Sequence, residues 1–197
     1  RLLKLGEQEF RIFNVGAPQL DDVNYTKLIK TKKIVLKSKI FHLKKEKYLI
    51  LIQHSVFSDR KNYDKKFIKT LKACLSFDLK LIIIYPNYDP GYEKIIHVIK
   101  NLKNKDKIIV LNNLERQTFL KLLVNSSCLV GNSSCGILEA PTLKIGVVNV
   151  GDRQEGREKN VNILDARYST IDIKKNKQRI ITNKNFHIKL KNIKNFY

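Results

Sequence analysis

The sequence has no methionine and no tryptophan, and it contains little glycine, proline or cysteine. Only 8 Gly and 4 Pro stand among 197 residues of which 43% are hydrophobic, and this composition excludes a low-complexity or disordered chain. Three cysteines without metal-ligand spacing, Cys74, Cys128 and Cys135, favour a reducing compartment over a disulfide scaffold. The missing methionine, together with Arg1 as the first residue, indicates a fragment of a longer protein.

Long hydrophobic runs are missing as well. The longest, at 48–52 and 81–85, fall far short of the ~20 residues that cross a bilayer, and residues 1–20 have no signal-peptide pattern. We therefore expect a cytoplasmic protein that has no membrane partner. At roughly 100–200 residues per domain, the length predicts one compact unit with short appendages.

Acidic residues are scarce, since 18 Asp and Glu stand against 39 Lys and Arg for a formal net charge of +21. Such a charge suits nucleic-acid binding, in which Lys and Arg neutralise phosphates. However, Lys outnumbers Arg 31 to 8, and most of the excess lies on predicted helix surfaces and in the Lys/Asn-rich tail from Asp172 onward. We interpret the charge as a solvated surface and expect no nucleic-acid partner.

Short apolar runs alternate with amphipathic segments along the middle of the chain. The runs are typical of strands that are buried on both faces, and they lie at 48–53, 81–85, 108–111, 128–130 and 146–150. The segments between them repeat apolar residues every three or four positions, which predicts helices at 61–77, 93–102 and 116–124. Residues 1–45 and 170–197 follow this pattern poorly.

The alternation predicts right-handed βαβ crossovers, and therefore an α/β fold with a doubly wound, Rossmann-like parallel sheet. In such a sheet ligands bind outside the carboxyl ends of the strands. The residues that follow each strand are therefore the candidates for chemistry.

The run Gly131-Asn132-Ser133-Ser134-Cys135-Gly136 follows the predicted strand at 128–130 and precedes a short predicted helix. Small residues permit a sharp turn close to a ligand, the hydroxyls of Ser133 and Ser134 can donate, and N–H groups at a helix start attract anions. Glu139 follows about one turn later, where its carboxylate can accept hydrogen bonds from two ribose hydroxyls. The alternative interpretation is an ordinary helix N-cap with a favourable charge behind it.

Three further polar residues follow predicted strands. His54 ends its strand, where an imidazole can donate to a phosphate or move a proton near neutral pH. Arg153 follows the strand at 146–150, where a guanidinium can hold phosphate oxygens. Asn87 lies in the turn at 86–91. Their alternative interpretations are a packing or capping histidine, a surface arginine and a simple turn.

Two runs in this region resemble the signature of the UDP-N-acetylglucosamine 2-epimerases. They are Gly-Asn-Ser-Ser-Cys-Gly-Ile-Leu-Glu-Ala-Pro at 131–141 and Val-Asn-Val-Gly-Asp-Arg-Gln-Glu-Gly-Arg at 148–157. The Gly-Asn-Ser-Ser and Gly-x-Arg-Gln-x-Gly-Arg patterns are similar to those of the hydrolysing branch. Segments 13–18, 53–56 and 86–91 agree in order and spacing, although Ser55 stands where that branch has Pro.

This resemblance implies a C-terminal, UDP-binding lobe of a two-lobed GT-B fold. Residues 1–20 would be the trailing edge of a missing N-terminal lobe and residues 21–170 the UDP-binding α/β lobe. Residues 171–197 would be a Lys/Asn-rich tail, truncated before the final helix.

The resemblance also assigns roles to individual residues. It implies a catalytic role for His54 at the phosphate or leaving group, diphosphate binding by the two serines and ribose binding by the glutamate. The implied substrate-binding residues are Asn87, Ser133, Ser134, Gly136, Glu139 and Arg153. No metal is implied.

The implied activity is that of a hydrolysing UDP-N-acetylglucosamine 2-epimerase, which forms N-acetylmannosamine and UDP through a 2-acetamidoglucal without a cofactor. The partner is then a UDP-sugar, and we expect a homo-oligomer at full length. Because the missing lobe supplies most of the acid and base carboxylates, we expect this chain alone to be inactive. Alternatives are a non-hydrolysing or a UDP-diacetylbacillosamine 2-epimerase, a GT-B glycosyltransferase, and a basic nucleic-acid-binding module.

Overall fold

The structure is a computed structural model that describes residues 1–23, 25–44, 47–57, 62–102 and 106–197. Strands and helices alternate through most of these residues. The strands are β1 (Lys33–Leu36), β2 (Lys39–His42), β3 (Tyr48–Ile52), β4 (Lys80–Ile84), β5 (Ile108–Leu111), β6 (Cys128–Gly131), β7 (Val147–Val150) and β8 (Ile163–Ala166). The helices are α1 (Tyr25–Lys30), α2 (Tyr63–Leu75), α3 (Tyr92–Lys100), α4 (Arg116–Asn125), α5 (Glu139–Thr142), α6 (Thr170–Thr182) and α7 (Lys184–Lys191).

Strands β3 to β8 form one parallel sheet in the order β5-β4-β3-β6-β7-β8, while β1 and β2 form a separate antiparallel hairpin. The chain winds outward from β3 through β4 to β5, returns to pair β6 with the other side of β3, and winds outward again. This is the Rossmann strand order, whose reversal point lies between β3 and β6. The predicted doubly wound parallel sheet is confirmed.

Strand β3 is buried at all five positions because helices cover both faces of the sheet. Leu49 and Leu51 pack in one hydrophobic cluster with residues of α2, α3, α6 and α7. Tyr48 and Ile50 pack in the other cluster with residues of α1, α4 and α5. A strand that is covered on both faces reads as a continuous apolar run, and this is why the sequence predicts β3 well.

The predicted tail at 171–197 contains two helices, α6 and α7, that pack on the sheet. Helix α6 buries Ile173 and Ile180, and α7 buries Phe186 and Leu190. Each helix turns one narrow apolar face inward, and most of the remaining positions are polar or charged. Because this region is so polar, its sequence does not predict α6 and α7. The domain boundary near residue 170 stays a prediction.

Lys177 is an exception to the predicted solvated surface, since it is fully buried. Its Nζ donates to the carbonyls of Ala73 and Cys74, at the end of α2, and lies 4.0 Å from the ring centroid of Phe77. Burial lowers the pKa of Lys177. A cation at a helix carboxyl end is favourable, so Lys177 links α6 to α2.

Residues 1–20 add no buried side chain to the lobe. They form short 3-10 turns at Leu3–Leu5, Glu9–Arg11 and Pro18–Leu20, and Phe13 is 78% exposed. The assignment of this segment to the edge of another lobe stays a prediction.

Three further expectations concern the cysteines, the start of the helix predicted at 61–77 and membrane spans. The thiols of the three cysteines are buried and free of disulfide bonds. Lys61, the first residue of the helix predicted at 61–77, lies outside the described residues. In the part of the chain that the structure describes, the helices are too short or too polar to cross a membrane.

Gly131 lies where the two halves of the sheet meet, paired with Ile52 on β3. It ends β6 with a φ of +130°, and a Cβ atom placed on it would lie 1.8 Å from the carbonyl oxygen of Ile52 on β3. The N–H of Asn132 donates to that same oxygen at 3.1 Å. Only glycine permits both the backbone conformation and the close approach.

We predict that Gly131→Ala lowers the free energy of unfolding by at least about 3 kcal/mol, because the methyl group would overlap a backbone oxygen that cannot move aside. Gly156→Ala is the matched control, since Gly156 also has a positive φ of +73° but has nothing within 4 Å of an added Cβ. The control should cost about 1 kcal/mol. Urea unfolding measures both, and equal losses would contradict the prediction.

Candidate functional site

A cleft of about 830 Å³ opens at the carboxyl ends of β3, β4, β5 and β6. It lies at the reversal point of the strand order, where open α/β sheets bind ligands. Five of the seven predicted site residues line it: His54, Asn87, Ser133, Ser134 and Arg153. The remaining two, Gly136 and Glu139, are not among the lining residues, although Gly136 directly follows Cys135, which lines the cleft.

Asn132 is the buried centre of the site, with none of its surface exposed. Its Oδ1 accepts from the N–H of His54 at 2.7 Å, and its Nδ2 donates to the carbonyl of His54 at 2.9 Å. The same Nδ2 lies 3.3 Å from the hydroxyl of Tyr63 on α2, and the backbone carbonyl of Asn132 accepts from Gln154 at 2.8 Å. The side-chain amide and the backbone carbonyl of Asn132 therefore hold the loops after β3, β6 and β7 together.

His54 is 5% exposed, and the backbone of the next loop fixes its ring. The N–H of Asn87 donates to Nδ1 of His54 at 3.0 Å, so the neutral ring carries its proton on Nε2. Burial, followed by the positive charge of Arg153, lowers the pKa of His54 to about 4. At neutral pH His54 is thus an uncharged hydrogen-bond donor.

Arg153 bridges the cleft. One of its terminal nitrogens lies 3.2 Å from Oδ2 of Asp89, in the loop after β4, and the other donates to the carbonyl of Asn132 at 3.4 Å. The carbonyl of Asp89 also accepts from the hydroxyl of Ser55 at 3.0 Å. These contacts hold a guanidinium at the cleft with N–H donors left for an anion.

The small-residue turn after β6 forms the floor of the cleft. Ser134–Gly136 is a 3-10 turn, and the short helix predicted to follow the run at 131–136 is α5, which begins at Glu139. Ser133 and Ser134 are half-buried. A Cβ atom on Gly136 would lie 2.9 Å from a methyl group of Val147, so this glycine permits close packing of the turn on β7.

Glu139 is 7% exposed, and its two carboxylate oxygens differ. Oε1 accepts from Arg116 on α4 at 3.2 Å. Oε2 is buried and has no hydrogen-bond partner among the described residues. A buried carboxylate oxygen without a donor is costly, and hydroxyl groups of a ligand would remove that cost.

Apolar and aromatic side chains form another part of the cleft lining. Its lining includes Ile84, Tyr92, Ile96 and Phe119, and the rings of Tyr88 and Tyr92 meet edge to face with centroids 5.0 Å apart. Lys100 and the two residues directly after β5, Asn112 and Asn113, also line the cleft. The lining therefore combines aromatic and apolar side chains with polar groups, which suits a ligand with an anionic and a flat part.

Cysteine nucleophiles and metal-binding clusters are two other sources of chemistry in a cleft. Cys135 lines the cleft, but burial raises the pKa of its thiol to about 12, so it is not a thiolate at neutral pH. In the described ranges no cluster of three or more His, Cys, Asp or Glu side chains could hold a metal ion.

Reading the sequence missed three residues that organise the site: Asn132, Asp89 and Arg116. Asn132 and Asp89 lie within segments that the sequence singles out, but nothing in the local pattern indicates their contacts. Arg116 is an isolated basic residue at the start of a helix, 23 residues before the glutamate that it contacts. The pairing depends on the fold, and the sequence holds no signal for it.

An open, doubly wound sheet with a ligand-sized cleft at its reversal point defines a Rossmann-like α/β lobe. The sequence model described as UDP-N-acetylglucosamine 2-epimerase matches residues 1–197. The chain therefore belongs to the UDP-N-acetylglucosamine 2-epimerase family.

Individual relatives agree with this assignment. The chain is 34% identical over 165 residues to a Legionella pneumophila protein named UDP-N,N'-diacetylbacillosamine 2-epimerase (hydrolyzing), covering 84% of the chain and 43% of the relative. It is 36% identical over 176 residues to a Campylobacter jejuni protein named GDP/UDP-N,N'-diacetylbacillosamine 2-epimerase (hydrolyzing), covering 87% and 45%. The chain thus spans less than half the length of these curated relatives.

A solved structure has the same fold. The UDP-GlcNAc 2-epimerase of Methanocaldococcus jannaschii, in complex with UDP-GlcNAc and UDP, superposes with a TM-score of 0.68 at 18% identity. The match covers 98% of this chain and 53% of the other. The expected lobe of a GT-B-type 2-epimerase is confirmed at the level of the fold.

We predict a pH dependence of stability that comes from His54. Its folded pKa of about 4 lies below the ordinary 6.5, so the unfolded state binds the proton first and stability is lost as the pH falls from 6.5 toward 4. At pH 4.5 this histidine should cost about 2.5 kcal/mol relative to pH 7. Urea unfolding of wild type and His54→Gln at both pH values measures it.

The wild type should lose more stability between the two pH values than His54→Gln does. His97→Gln is the control, because His97 is exposed on α3, and this variant should keep the wild-type pH dependence. An identical loss in wild type and His54→Gln would contradict the assignment of the pH effect to His54.

Proposed function

We propose that the whole protein is a hydrolysing 2-epimerase of UDP-activated 2-acetamido sugars, and that this lobe holds the UDP. The observation that carries the proposal is the cleft itself. The turn at 131–136 lies at the reversal point of the sheet, with His54 and Arg153 on the same cleft. A hydroxyl-rich turn beside a guanidinium is a chemically suitable site for a diphosphate.

The remaining parts of UDP match the rest of the site. The apolar side chains of Ile96 and Phe119 in the cleft lining suit the flat uracil ring. The unpartnered Oε2 of Glu139 supports the proposed ribose contact, since ribose hydroxyls would supply the missing donors. Asn87, which lines the cleft, is proposed to contact the nucleotide or the sugar.

The proposed reaction has two steps. A base removes the C2 proton, the electron pair forms the C1–C2 double bond of a 2-acetamidoglucal, and the C1–O bond to the diphosphate breaks. Water then adds its hydroxyl to C1 while C2 regains a proton on the opposite face. We infer that the carboxylates for base and acid come from outside this lobe, in agreement with its length relative to the relatives.

The described residues would act on the leaving group. UDP departs as an anion, so it requires stabilisation of negative charge more than a proton. His54, uncharged and with its proton on Nε2, is proposed to donate a hydrogen bond to a phosphate oxygen, and Arg153 to supply positive charge. The catalytic role proposed for His54 is therefore electrostatic.

Two 2-acetamido sugars are candidates for the sugar of the substrate. The relatives at 34% and 36% identity carry names with N,N'-diacetylbacillosamine, whereas the family description names N-acetylglucosamine. Both sugars have the acetamido group and the proton at C2 that the reaction needs. The experiments below therefore use both.

We predict that calorimetric titration of the protein with UDP detects binding with a Kd on the order of 100 μM or tighter, and that GDP binds more weakly. Arg153→Gln should weaken UDP binding at least about tenfold, because a charged hydrogen bond to phosphate is lost. Arg167→Gln is the matched control, since Arg167 is exposed beyond β8 and does not line the cleft. The absence of heat with UDP in wild type would contradict the proposal.

For turnover, we predict that the whole protein in D₂O converts a UDP-2-acetamido sugar into UDP and the free 2-epimer with deuterium at C2. Proton NMR with UDP-N-acetylglucosamine and UDP-N,N'-diacetylbacillosamine distinguishes the two substrates. His54→Gln should lower kcat on the order of 100-fold, as loss of a preorganised donor does, and His97→Gln should leave it unchanged. A product that keeps UDP would contradict the hydrolysing assignment, and an unlabelled C2 would contradict proton removal.

A further inference from the structure

Arg116 is the first residue of α4 and contacts two acidic side chains at once. Its Nε and one terminal nitrogen donate to the carboxylate of Asp22 at 2.8 and 2.9 Å. Its other terminal nitrogen donates to Oε1 of Glu139 at 3.2 Å, and the backbone carbonyl of Gln19 accepts a further hydrogen bond. A single guanidinium therefore joins the segment before α1, helix α4 and helix α5.

The two acidic partners of Arg116 lie in different surroundings. The side chain of Asp22 is 40% exposed, whereas that of Glu139 is 10% exposed. An exposed carboxylate is stabilised by water and needs no ion pair. A buried carboxylate is unstable as an anion unless a cation or several donors accompany it.

Arg116 is the cation that accompanies Glu139 in the described part of the chain. Its contact also fixes the carboxylate by one oxygen only, so Oε2 is left without a donor. Asp22 in turn holds the guanidinium by two parallel hydrogen bonds, which restrict the orientation of its plane. The triad thus sets the direction of the Glu139 carboxylate.

We propose that Arg116 is a positioning residue for the nucleotide site, which orients Glu139 so that its free oxygen accepts the ribose hydroxyls of the bound nucleotide. The inference rests on the proposed function, because it takes the ligand to be UDP. It adds a residue outside the cleft lining that selects for the ribose, together with Asp22 as the anchor of that residue.

A purely structural role makes a different prediction. If Arg116 only tied the segment at 19–22 to α4, its loss would weaken the binding of every nucleotide by the same factor. If Arg116 acts through Glu139, its loss removes only the part of the affinity that depends on ribose hydroxyls. The ratio of affinities for UDP and 2',3'-dideoxy-UDP separates the two roles.

The experiment is calorimetric titration of the protein with UDP and with 2',3'-dideoxy-UDP. Wild type should prefer UDP by about tenfold or more, since hydrogen bonds to a charged group are lost with the dideoxy nucleotide. Arg116→Gln should reduce this preference to about threefold or less and leave the affinity for the dideoxy nucleotide nearly unchanged. Glu139→Gln should reduce the preference in the same way.

Two further variants complete the test. Arg116→Lys retains the positive charge next to Glu139 and should recover part of the preference, although a lysine cannot form the two-pronged contact with Asp22. Arg11→Gln is the matched control, because Arg11 forms an exposed ion pair with Glu7 and should leave both affinities unchanged. Should Arg116→Gln fail to fold, Arg116→Lys decides the question alone. Only a loss of affinity that acts through Glu139 changes the ratio of the affinities for UDP and 2',3'-dideoxy-UDP.

An equal loss of both affinities in Arg116→Gln, or a wild-type preference that persists in the folded variants, would overturn the inference and leave the proposed function intact. Failure of wild type to bind either nucleotide would overturn the proposed function itself. The two failures are therefore distinguishable in one set of titrations.

Discussion

The site depends on the contact between β3 and β6 at the reversal point of the sheet. Gly131 lets the backbone of β6 lie against the carbonyl of Ile52, where any side chain would collide. The next residue, Asn132, then closes two hydrogen bonds with the backbone of His54. Because the loop after β7 is attached to the same asparagine through Gln154, the geometry of three loops follows from one junction between two strands.

Charge at the site is arranged differently from charge on the rest of the surface. The chain carries a formal net charge of +21, yet Arg153 and Arg116 each contact a carboxylate, Asp89 and Glu139 respectively. His54 adds no charge, since burial depresses its pKa to about 4. Few, paired and oriented charges in a half-buried cleft act on a ligand more strongly than many solvated lysines do, because water screens the latter.

The central part of the fold is predictable because its signals are local. Strands β3 to β7 read as apolar runs since helices cover both faces of the sheet, and α4 begins at the predicted residue, Arg116. The edge strand β8 and helices α6 and α7 escape prediction because each buries only part of its surface. Lys177 illustrates the limit: a lysine in a Lys-rich tail is indistinguishable by sequence from its solvated neighbours.

For the site, the sequence by itself determined the fold class, the family and the turn at 131–136, since small residues after a buried strand have a direct conformational meaning. Five of the seven predicted residues line one cleft because parallel strands bring their carboxyl ends to one edge. Only the tertiary structure decided the charge state of His54, the pairing of Arg153 with Asp89 and that of Arg116 with Glu139. Each depends on burial and on side chains distant in the chain, and these arise only when the sheet has assembled.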